Sequence, residues 1–66
     1  MNIVLNGEER DCQEGESLLL LLRALDLEGQ RLAVEVNEEL VPRSRFADYR
    51  LVAGDQVEIV RAIGGG

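Results

Sequence analysis

Three glycines, Gly64, Gly65 and Gly66, close the sequence directly after an apolar run from Val57 to Ile63. A main chain without Cβ atoms can thread a slot too narrow for any other residue. It also leaves a terminal carbonyl open to nucleophiles from either side. Taken alone, the glycines read equally well as a frayed end. Their place immediately after a strand favours a projected arm whose working group is the carboxylate of Gly66. A carboxylate is a poor acyl donor until one oxygen becomes a leaving group. Adenylation by Mg·ATP does this, yet the sequence contains neither a GxxxxGKS/T phosphate loop nor a GxGxxG turn. The activating chemistry is therefore expected in a partner, with ATP and Mg used there and no cofactor bound by this chain.

The other reactive side chains promise less. Cys12 is the only thiol, and there is no His to act as its base. Asp11 and Glu14 nearby oppose a thiolate, so Cys12 reads as a small buried or half-buried hydrophobe. Glu8-Glu9 and Glu38-Glu39 read as solvated turn residues rather than paired acid–base groups. Arg43-Ser44-Arg45 reads as local charge balance or as a contact for an acidic patch. One Cys and no His leave too few ligands for a zinc site.

The composition narrows the classes further. Sixty-six residues allow one domain, and 45% hydrophobic residues are too many for a disordered chain. A net charge of −6, from 13 acidic and 7 basic side chains, opposes nucleic-acid binding. All the cations are Arg, so no Lys side chain is available for acylation. No apolar run reaches the length of a membrane span and no signal peptide is visible. The single Cys fits a reducing compartment, and a cytoplasmic location is expected.

These residues need elements to hold them. Asn2 to Asn6 is a short β-prone segment with Ile3 and Leu5 on one face. Asn6-Gly7 is a turn signal, and a polar strand from Glu9 to Gln13 returns as an edge. Ser17 is placed to cap a helix from Leu18 to Leu25. Leu18, Leu21, Leu22 and Leu25 form its core stripe. Leu19, Leu20 and Ala24 widen that stripe, and their burial is expected over contact with a partner. Leu32 to Asn37 alternates with Leu32, Val34 and Val36 inward. Asn37-Glu38-Glu39 turns into a short strand at Leu40-Val41, which Pro42 stops. The stretch from Arg43 to Leu51 is irregular, anchored by Phe46 and Leu51. After a Gly54-Asp55 turn, Val57 to Ile63 is the most apolar strand and belongs at the centre of the sheet. The last strand most simply lies parallel to the first, through a right-handed crossover.

The predicted fold is therefore α+β of the β-grasp (ubiquitin-like) type. A mixed sheet of four to five strands carries one helix packed on one face. Residues 1–63 form the domain and residues 64–66 a flexible tail.

The residues also match a known family. N-G…C…G-x-S-L-x-x-L-L, V-E-V-N-E-E-L-V-P-R-S and G-D-x-V-E-I-V-R-A-I-G-G-G span nearly the whole chain. The pattern resembles the ThiS-type sulfur carriers of thiamine biosynthesis. The resemblance implies that Gly66 is adenylated by a ThiF-type enzyme and then converted to a thiocarboxylate. The sulfur comes from a persulfide donor and is delivered to thiazole synthase. Gly65 is the diglycine partner, and Gly64, Gly65 and Gly66 enter partner active sites. The chain is then a protein co-substrate and not an enzyme. The small subunit of molybdopterin synthase, or a carrier for another pathway, shares this chemistry. Those subunits are usually longer and often carry prolines where Arg61-Ala62-Ile63 stands here.

A different class is an adaptor that binds through its sheet, using Val4 and Val60 as an exposed apolar patch. Val4, Val60 and Ile63 are the candidate partner-facing residues.

Overall fold

Two tight turns set the register of the sheet. Asn6 (φ 48°) and Gly7 (φ 83°) are both left-handed, the geometry of a two-residue type I′ turn. They join strand β1 (Asn2–Leu5) to β2 (Glu8–Asp11), with Leu5 opposite Glu8. The tight turn brings Glu8 into pairing and starts β2 one residue earlier than the sequence suggests. Asn37 (φ 52°) and Glu38 (φ 70°) repeat the device. They join β3 (Leu32–Val36) to β4 (Glu39–Val41), so Glu39 pairs with Val36 instead of lying in the turn.

A computed structural model describes residues 1–61 of the protein. The expectations for Ile63, Gly64, Gly65 and Gly66, and the boundary between 63 and 64, lie outside the described residues. The last strand, β5, runs Gln56–Arg61. The sheet order is β2-β1-β5-β3-β4, with β5 parallel to β1 and antiparallel to β3. This is the expected mixed sheet, five-stranded, with the apolar strand at its centre.

Helix α1 (Leu18–Ala24) covers one face. The Ser17 hydroxyl accepts the Leu20 N–H at 3.2 Å and caps it. Leu18, Leu21 and Leu22 are buried against Ile3, Val34 and Val57. The wider burial expected of the leucine run fails at two positions. Leu20 is 46% exposed and Ala24 is exposed, while Leu19 is half-buried. Two helical turns on one sheet can present only the i, i+3, i+4 stripe. Leu25 is the C-cap, and Asp26 at φ 61° ends the helix.

The segment expected to be irregular contains a single 3-10 turn, Arg43–Arg45. It carries Phe46 into the core, and Leu51 seals the same side. Among the described residues no helix is long and apolar enough to cross a membrane.

Candidate functional site

The site is the root of the C-terminal segment, the β5 strand Gln56–Arg61 that leads to it. Alternation puts Val57 and Ile59 inward, at 1% and 9% exposure. Val36 lies opposite Val57 and Leu32 opposite Arg61. Arg61 is thus the last described rung, at the end of the sheet where β3 begins.

Two asparagines hold β5, one at its start and one at Ile59. At its start, Asn37 Oδ1 accepts the Gln56 N–H at 3.0 Å. Asn37 Nδ2 donates to Asp55 Oδ1 at 3.0 Å, and Asp55 Oδ2 accepts the Val52 N–H at 2.9 Å. Asp55 is only 6% exposed, so its carboxylate depends on these partners. Further along β5, Asn6 Oδ1 accepts the Ile59 N–H at 2.8 Å, and Asn6 Nδ2 donates to the Ile59 carbonyl at 3.3 Å. Sequence reasoning identified Asn6 and Asn37 as turn formers only. Their second role joins residues 53 and 19 positions apart, which no local pattern encodes. The only signal was Asn instead of Gly at the first left-handed position of both turns.

Beside the root lies a cleft of about 300 Å³, lined by Leu5, Leu25, Leu27, Leu32, Ile59 and Arg61, with Asn6 also contributing.

The uncovered face of the sheet carries the other candidates. Val60 is 56% exposed and Val4 half-buried, and both point away from the helix. They do not form one patch. The rung of Val4 is Gln56, four residues before Val60, a separation of about 13 Å along the strand. Glu58 stands between them. Val60 instead faces Ala33, and Glu58 faces Glu35 directly. Glu9, opposite Val4, adds a third carboxylate. The strand arginines Arg10 and Arg61 lie on the other side by alternation. This face is therefore acidic with apolar islands.

Cys12 is 8% exposed, and its backbone is pinned by the N-terminus. The Met1 ammonium donates to the Cys12 carbonyl at 2.8 Å. Burial, and then the Glu16 carboxylate, push the thiol pKa up. A raised pKa disfavours the thiolate, so the structure supports the reading of Cys12 as a core residue. Arg43 donates to the Gln30 carbonyl at 2.8 Å, and Arg45 pairs with Asp48 at 3.2 Å. Glu8, Glu9, Glu38 and Glu39 are exposed.

Comparison with known proteins places this geometry. The ThiS family model matches residues 3–66. The sulfur carrier protein ThiS of Escherichia coli is 32% identical over all of both chains. A thiazole synthase of Paramagnetospirillum magneticum is 42% identical over the whole of this chain, which spans 20% of that protein's length. The crystal structure of the thiamine biosynthesis protein ThiS from Geobacter metallireducens superposes with a TM-score of 0.88. It is 32% identical over all of both chains.

Proposed function

The chain belongs to the ThiS family, and on that premise we propose that it is a sulfur carrier of thiamine biosynthesis whose cargo rides on Gly66. The observation that carries this reading is the extent of the family match, which runs through the terminal glycines to residue 66. The similarity to a segment of a thiazole synthase supports the thiazole branch.

The chemistry follows from the carboxylate. A carboxylate oxygen of Gly66 attacks the α-phosphorus of ATP in a ThiF-type enzyme, with Mg, and pyrophosphate leaves. The terminal sulfur of a persulfide donor attacks the acyl carbon, and AMP leaves. A second thiol cleaves the resulting acyl disulfide. This releases the thiocarboxylate and leaves a disulfide on the donor side. The thiocarboxylate then gives its sulfur to the thiazole ring in thiazole synthase. This chain supplies the acyl group and its presentation, and the partners supply catalysis. The activating enzyme docks on the open sheet face through Val4 and Val60, with basic side chains against Glu9, Glu35 and Glu58, and Ile63, outside the described residues, is the third partner-facing position.

The test is intact-mass spectrometry after incubation with a ThiF-type enzyme, Mg·ATP and a persulfide donor. The expected gain is the mass of one oxygen-to-sulfur exchange at Gly66. Deleting Gly65 and Gly66 is expected to abolish the gain while leaving thermal unfolding unchanged. A wild-type protein whose mass never changes under these conditions refutes the proposal.

A further inference from the structure

We infer that Asn6 is a positioning residue for the reacting tail, its side-chain amide extending the β1 side of the sheet to Ile59, two residues before the last described one. The inference rests on the reading of Gly66 as the reacting end.

The β1–β5 ladder is parallel. The Val4 N–H donates to the Asp55 carbonyl and the Asn6 N–H to the Val57 carbonyl, each at 2.9 Å. The next bond of such a ladder runs from the Ile59 N–H to the main-chain carbonyl of Asn6. At Asn6 the main chain has already turned away, with φ 48°. The side-chain amide replaces the missing strand. Its oxygen takes the Ile59 N–H at 2.8 Å and its nitrogen reaches the Ile59 carbonyl at 3.3 Å. One side chain thus supplies the acceptor and the donor of a further rung.

Without it, β5 is held from both sides only as far as Val57. Glu58 and Ile59 then keep only their pairing with β3, opposite Glu35 and Val34. They are followed immediately by Val60 and Arg61, the last described positions before the tail. A root held from one side frays more often, and a frayed root presents the tail correctly in only part of its population. Apparent affinity for an enzyme that must thread the tail falls by that fraction. Turnover of the threaded complex is unchanged, so the deficit falls on KM and not on kcat.

The experiment uses Asn6→Gly, Asn6→Asp and, as a control, Ser17→Ala. Glycine keeps the left-handed turn without strain and loses both bonds. Aspartate keeps the acceptor and loses the donor. Ser17→Ala loosens the fold at the helix cap, away from the root. Two readouts are taken: amide hydrogen exchange at Ile59, and carrier-dependent ATP–pyrophosphate exchange catalysed by a ThiF-type enzyme. Asn6→Gly is expected to speed Ile59 exchange and to raise the carrier's KM about tenfold, the equivalent of one to two lost hydrogen bonds, with kcat held. Asn6→Asp is expected to fall between wild type and Asn6→Gly in both. Unchanged Ile59 exchange in Asn6→Gly, a KM no higher than that of Ser17→Ala, or a loss confined to kcat overturns the inference. Failure of wild type to support ATP–pyrophosphate exchange instead refutes the proposed function. Exchange at Ile59 then decides the clamp by itself.

Discussion

Replacing Glu58 by Arg is expected to make this protein more stable. Glu58 and Glu35 are directly opposite on adjacent antiparallel strands, so their Cβ atoms are about 5 Å apart. None of the three ion pairs among the described residues involves either one. With the carboxylates about 6 Å apart near bulk dielectric, the repulsion is ~0.7 kcal/mol. Reversing one charge turns it into a comparable attraction, and screening reduces the total swing to about 1 kcal/mol. For a 66-residue domain that is a rise in Tm of about 7 °C. The assay is thermal unfolding by circular dichroism at low ionic strength and at about 1 M salt, where the Debye length is about 3 Å. Glu58→Gln removes only the repulsion and is expected to give about half the gain. Glu14→Arg, at an exposed loop position, makes the same change in net charge and separates the local pair from the global effect. The reasoning is wrong if Glu58→Arg gains no more than Glu14→Arg, or if the gain survives high salt.

Two further substitutions probe the interior. Asp55→Ala strands the Val52 N–H and the Asn37 amide, and is expected to cost about 2–4 kcal/mol, read from the midpoint of urea unfolding. A loss below about 1 kcal/mol contradicts the clamp at the start of β5. For Cys12, alkylation of the folded protein is expected to run at least about tenfold slower than in denaturant. The folded state holds the thiol proton more tightly than the unfolded state does. That stabilisation is complete below the ordinary thiol pKa of 9.0 and is lost as pH rises through the raised folded value. Cys12→Ala is expected to lack this alkaline component. An identical pH profile for the two proteins rules it out.

The sequence by itself determined the elements, because their causes are local. Asn6-Gly7 specifies a left-handed turn, Ser17 caps the helix, and alternation from Leu32 to Val36 assigns the inner face. Apolarity placed β5 at the centre, and the glycines with the ThiS-like pattern pointed to Gly66, which lies outside the described residues. Only the tertiary structure decided what meets across the sheet. Leu20 and Ala24 stay exposed because a two-turn helix offers one stripe to one sheet. Val4 and Val60 share a face but not a patch, because parallel register sets Val4 against Gln56. Glu35 meets Glu58, and the Asn6 amide meets Ile59 across 53 positions of sequence. Such encounters depend on the register of strands distant in sequence, a quantity that no single segment contains.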